Sequence, residues 1–111
     1  ALGSTRLEYR FASKRPKTFT GEGFDADIIG PSVTLRHWQE GDRFQPIGRT
    51  NTSKLKVLFI NAKFPNTDKR LAVLGVSTSG DVFWVEGLRI GELAKVRRNT
   101  QRFLLWKWSK I

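Results

Sequence analysis

Apolar and polar side chains alternate from Leu7 through Tyr9 to Phe11, the period-two pattern of a half-buried strand. Ser13 to Thr18, with Pro16 inside it, has the composition of a basic turn. The arm 1–23 carries Arg6, Arg10, Lys14, Arg15 and Lys17 and closes on Gly21 and Gly23. It reads as a basic linker with a first hairpin, leading into a domain over 24–111. Gly30-Pro31 marks a turn, and Val33 to Arg36 follows as a strand with Val33 and Leu35 on one face. From Gln39 to Ser53 the residues Gly41, Pro46, Gly48, Thr50, Asn51 and Thr52 spell a long loop, a type of segment that commonly carries function.

Periodicity then changes. Leu55, Leu58, Phe59 and Ala62 fall at the i, i+3, i+4, i+7 spacing of an apolar helical stripe. With Thr52 or Ser53 as N-cap and Pro65 as terminator, a helix is expected over Lys54 to Lys63. Leu71 to Val76 and Val82 to Val85 are apolar runs joined by Ser77-Thr78-Ser79-Gly80, a hairpin signal. Leu93 to Arg98 and Arg102 to Trp108 are two further strand candidates. One main helix against several strands predicts an α+β domain with a mainly antiparallel sheet.

Composition narrows the function classes. In 111 residues there are 20 Lys+Arg against 10 Asp+Glu, a net charge of +10, and no cysteine or methionine. Absent cysteine excludes disulfide frameworks, thiolate metal sites and cysteine nucleophiles, and the lone histidine, His37, excludes multi-histidine metal sites. No apolar run is long enough for a membrane helix. Beyond Glu92 the chain has six cations and no acid, with cations and aromatics interleaved from Arg102-Phe103 to Trp106-Lys107-Trp108. That pattern points to nucleic acid rather than lipid.

Chemistry for turnover is missing. No phosphate-binding glycine loop occurs, and Ser79-Gly80-Asp81 is a hairpin turn. His37 has no serine or carboxylate arranged as a triad. Asp25 and Asp27 share a strand face without other metal ligands, so they read as solvated or turn-forming acids.

The run from Val33 to Gly48 contains Leu35-Arg36, Trp38, Gly41-Asp42-Arg43-Phe44, Pro46 and Gly48. This segment resembles the C-terminal substrate-binding domain of bacterial tRNA(Ile)-lysidine synthetase, with its Leu-Arg-x-Trp-x-x-Gly-Asp-Arg-Phe-x-Pro-x-Gly motif. Phe24-Asp25-Ala26-Asp27 is similar to the family's short Asp-Ala-Asp strand, Ser53-Lys54 and the Leu-rich helix to its Lys-Lys-Leu helix, and Val82 to Ile90 to its Trp-Val-x-Gly-Leu-Arg-Ile hairpin. Ala72 replaces a usual proline, and Thr50-Asn51 replace a Gly-rich loop tip.

The resemblance implies a small layered sandwich of sheets with a helix, similar to a domain of the phenylalanyl-tRNA synthetase β chain. It implies a whole enzyme that uses ATP, with magnesium, to attach lysine to the wobble cytidine of tRNA(Ile). That chemistry would lie in a separate catalytic domain with a Ser-Gly-Gly-x-Asp-Ser loop, which this chain lacks. The chain would then be non-catalytic and without a cofactor of its own. It would be cytoplasmic and hold the tRNA(Ile) acceptor stem beside the catalytic domain of the same polypeptide, with a homodimer allowed. A stand-alone basic RNA- or DNA-binding module of similar fold is the alternative. Charge and resemblance together nominate Arg36, Arg43, Lys54, Lys56, Lys63, Arg70 and Arg89 as backbone contacts. Arg36 and Arg43 equally suit internal pairing to Asp42 or Asp25, and Trp38 suits packing or a platform for a base.

Overall fold

The computed structural model describes residues 5–64, 71–88 and 90–110. The element order is β1 (Thr5–Ala12), β2 (Glu22–Asp25), α1 (Ala26–Ile29), β3 (Thr34–His37), β4 (Arg43–Phe44), β5 (Ser53–Lys54), α2 (Leu55–Asn61), β6 (Val73–Val76), β7 (Val82–Val85) and β8 (Phe103–Lys110). Every strand pair is antiparallel. Among the described residues the strands form three small sheets, ordered β1-β8-β2, β3-β6-β7 and β4-β5. This is the expected α+β sandwich.

The β3-β6-β7 sheet is the middle layer, and its two faces feed two cores. One face meets the β1-β8-β2 sheet through Val73, Phe83, Trp84, Phe24, Leu104 and Trp106. The other face presents Leu74, Val76 and Val85 to Leu55 and Phe59 of α2 and to Phe44 of β4. Alternation along β6 explains this division, because successive side chains of a strand point to opposite faces. In β7 the alternation breaks. A bulge sets Phe83 and Trp84 against Gly75, and both aromatics join the core facing β8. Gly75 keeps this contact unstrained, since a Cβ would lie 3.0 Å from the Phe83 ring and 3.2 Å from that of Trp106, closer than ordinary packing. Trp106 is fully buried at the centre, with its ring 5.2 Å from Phe83 and 5.3 Å from Trp84.

Four expectations change. β1 and β2 do not form a hairpin; both pair with β8, which lies between them. The strand over Phe24-Asp25 ends before Ala26, because the Asp25 carboxylate accepts the Asp27 N–H at 3.0 Å and caps α1. The main helix covers Leu55–Asn61 rather than Lys54 to Lys63. Lys54 belongs to the β5 ladder and stands at the N-cap with no side-chain bond, and Lys63 takes a left-handed φ of 59° at the exit. The proposed terminator, Pro65, lies outside the described residues. Leu93 to Arg98 is turn rather than strand. Glu92 shapes it by bonding Lys95 at 2.6 Å and Arg97 at 3.4 Å, and only Lys95 makes a ladder contact, with Phe24. The β6–β7 hairpin forms as expected but its first strand starts at Val73 rather than Leu71, and the final strand runs Phe103–Lys110 rather than Arg102 to Trp108.

Candidate nucleic-acid interface

The Gln39 to Ser53 segment is held at several points, and what it presents is cationic. Its first turn is closed by Asp42. The Arg36 guanidinium donates two bonds to that carboxylate, at 2.8 and 2.9 Å, and the Gln39 N–H donates a third at 2.8 Å. The Asp42 carbonyl accepts the N–H of Leu55 at 2.9 Å, so the same residue anchors the start of α2. Arg36 bonding holds the Asp42 carboxyl below the usual carboxylate range against the opposing effect of burial. The Asp42 hydrogen bond raises Arg36 in turn. Further along, Glu92 accepts the Gly48 N–H at 2.9 Å, and the Lys95 bond, followed by the Gly48 bond, lowers its carboxyl.

After this turn β4 and β5 form a two-residue ladder in which Arg43 stands directly opposite Lys54, both exposed. Like charges in opposed positions of an antiparallel pair repel. Neither residue makes an ion pair with a described carboxylate. Arg43 instead donates to the Thr52 hydroxyl at 3.0 Å and to the Thr52 carbonyl at 3.2 Å, which fixes its direction without neutralising it. Lys56 follows on the exposed side of α2, 3.9 Å from Glu40, a weak surface pair. Lys63 is exposed at the exit of α2.

The structure therefore brings Arg43, Lys54 and Lys56 together around β4, β5 and the start of α2, with Lys63 at the far end of the helix. Arg36 forms the internal pair with Asp42, whereas Arg43 bonds neither Asp42 nor Asp25. Arg70 and Arg89 lie outside the described residues. Trp38 packs edge-on against Phe59, 6.1 Å between ring centres, as part of the core beneath α2. Thr52 is invisible as a site residue in the sequence; its role depends on the loop returning beside β4, which no local pattern encodes. The His37 ring meets the Ala72 carbonyl at 3.4 Å. Among the described residues no group of three His, Cys, Asp or Glu could hold a metal ion, and no helix is long and apolar enough to cross a membrane.

Comparison with known proteins gives the arrangement a context. Residues 33–106 match the family described as the TilS substrate C-terminal domain. The chain is 41% identical over 81 residues to a tRNA(Ile)-lysidine synthase of Clostridium acetobutylicum, covering 73% of this chain and 17% of that protein. It is 40% identical over 80 residues to the enzyme of the same name from Dehalococcoides mccartyi, covering 72% and 17%. The chain thus spans about one sixth of the curated relatives it matches. A crystal structure of a TilS C-terminal domain superposes with a TM-score of 0.80 at 24% identity, covering 97% of this chain and 85% of that one. An N-terminal fragment of the phenylalanyl-tRNA synthetase β-subunit from Pyrococcus horikoshii shares the fold with a TM-score of 0.64 at 17% identity, covering 89% and 28%.

Proposed function

This chain belongs to the TilS substrate C-terminal domain family, and on that premise we propose that it is the tRNA-holding end of a tRNA(Ile)-lysidine synthase, gripping the acceptor stem by its phosphates. The Arg43–Lys54 pair carries this reading. Two opposed cations without a described carboxylate partner form a site that an external anion relieves, and a regular stem supplies phosphates at close spacing. Side chains cannot read the deep major groove of A-form RNA, so binding through phosphates, 2′-hydroxyls and shape suits a double-stranded stem. Lys56 and Lys63 extend the contact along α2, and charge and resemblance add Arg70 and Arg89, which lie outside the described residues. Arg36 enters as a positioning residue, because its bond to Asp42 sets the turn from which Arg43 projects.

In the whole protein, the proposal extends to a cytoplasmic ligase that uses ATP and magnesium in a separate domain of the same polypeptide to join lysine to the wobble cytidine of tRNA(Ile). The residues of this chain would bind and orient the tRNA without taking part in bond making. Competition between two fragments of one tRNA tests the stem assignment. An acceptor-stem minihelix should displace labelled tRNA(Ile) from this chain, and an isolated anticodon stem-loop should do so only weakly. Stronger competition by the anticodon stem-loop would overturn it.

A further inference from the structure

We propose that the outer face of the β1-β8-β2 sheet carries a second nucleic-acid site, one that takes a single unpaired nucleotide. This inference rests on the reading of the chain as an RNA-binding domain but uses a different surface. The register of β1 on β8 places Leu7 and Tyr9 opposite Trp108 and Trp106 on the core side. It leaves Arg6, Glu8 and Arg10 opposite Ser109, Lys107 and Leu105 on the other side. Sheet and helix layers separate this face from Arg43 and Lys54, which lie beyond the β3-β6-β7 sheet.

A cleft of about 210 Å³ opens on this face, lined by Glu8, Arg10, Phe19, Leu105 and Lys107 together with Tyr9, whose ring packs on the core side 5.7 Å from that of Trp106. It is larger than the roughly 150 Å³ cavity known to admit a benzene ring, so a planar base fits, whereas a stacked base pair in a duplex could not enter. Phe19 is a fixed wall. The Arg15 guanidinium lies 5.9 Å above its ring and donates to the Gly21 carbonyl at 2.9 Å, and the Phe19 N–H donates to the Pro16 carbonyl at 3.1 Å. Gly21 allows the approach, because a Cβ there would sit 2.8 Å from the ring and collide with the Trp106 carbonyl. Leu105, only 1% exposed, forms an apolar floor.

Aromatic wall, apolar floor and cationic rim together form the arrangement by which proteins hold single-stranded nucleic acid: the base stacks and the backbone follows the charge. Arg10 and Lys107 would meet the flanking phosphates. Glu8, the one carboxylate in the lining and 3.6 Å from Arg6, would accept a bond from an exocyclic amino group, disfavouring uracil, which has none.

The test measures binding of this chain to two labelled probes, a short single-stranded oligoadenylate and a blunt RNA hairpin closed by a non-nucleotide linker, so that it has no unpaired base. Phe19→Leu keeps the floor covered but removes the ring. It should weaken oligoadenylate binding by roughly tenfold, the scale of a single base–aromatic stack, and leave the hairpin unaffected. Arg10→Ala with Lys107→Ala, both exposed positions, should do the same, and Phe19→Trp should retain binding. Arg43→Ala with Lys54→Ala should show the reverse pattern. Unchanged oligoadenylate binding in the Phe19 and Arg10/Lys107 variants overturns the second site and leaves the stem reading standing. Failure of the unmodified chain to bind the hairpin alone overturns the stem reading and leaves the second site. A chain that binds neither probe overturns both.

Discussion

Asp42 joins three segments at once: β3 through Arg36, the following turn through the Gln39 N–H, and α2 through its carbonyl. Replacing it with Asn removes the charge-assisted bonds, so Asp42→Asn should cost about 2 kcal/mol at neutral pH, measured by denaturant unfolding. The pH dependence has a definite sign. Arg36 holds the folded carboxyl below its ordinary value, so the stabilisation is complete above the unfolded carboxylate pKa and is lost as pH falls through the lowered folded value. The unmodified domain should lose stability in that acid range more steeply than Asp42→Asn. Gly75 sets a steric limit of another kind. Gly75→Ala should destabilise by about 1–3 kcal/mol, because the added methyl overpacks the Phe83 and Trp106 contact. Neither role can be read from residue type: Arg36 suits phosphate and carboxylate equally, and the bidentate geometry decides between them only once the turn is in place.

Among the elements, Lys54 occupies a place that local stability would give to another residue. It caps α2 without a side-chain bond, where Ser or Asp would accept an N–H, and it faces Arg43 across the ladder. Lys54→Ser should therefore raise stability by about 0.5–2 kcal/mol while weakening tRNA binding. Parallel melting and binding curves check both halves. This also shows which elements are legible. β8, the β6–β7 hairpin and the body of α2 carry strong periodicity or a turn signal, and they stand where the sequence puts them. Leu93 to Arg98 has the composition of a strand, but the Glu92 bonds to Lys95, Arg97 and Gly48 fold it into a turn, and of those partners Gly48 is brought in from far along the chain. The helix start shifts by the same logic, since pairing of Lys54 with β4 removes it from α2.

Across the whole molecule, the first and last strands close the structure. β1 pairs with β8 over eight residues, and the buried Glu86 carboxylate ties their ends together. It accepts the Thr5 hydroxyl at 2.8 Å, the Val73 N–H at 3.1 Å and the Lys110 ammonium at 2.7 Å. Glu86→Ala would strand the Val73 N–H and release the Thr5 hydroxyl and the Lys110 ammonium, at about 3 kcal/mol in equilibrium unfolding. Pairing of the chain ends is illegible in sequence because such partners lie about a hundred residues apart, and for that reason the arm resembles a hairpin. The candidate interface is partly legible. Charge and motif single out Arg43, Lys54 and Lys56, but not their alignment across a two-residue ladder, nor the outward Arg6, Arg10 and Lys107 of the terminal sheet.

On the proposed function, Arg43 and Lys54 jointly bind tRNA phosphates. The salt dependence of tRNA binding tests it most directly, with the unmodified chain measured beside the Arg43→Ala, Lys54→Ala double variant. Removing one phosphate-binding cation should flatten the slope of log affinity against log salt by about one unit, so the double variant should be shallower by about two. Its melting temperature should hold or rise, because the repulsion between opposed cations is gone. An unchanged slope and affinity in a fully folded double variant would contradict the account.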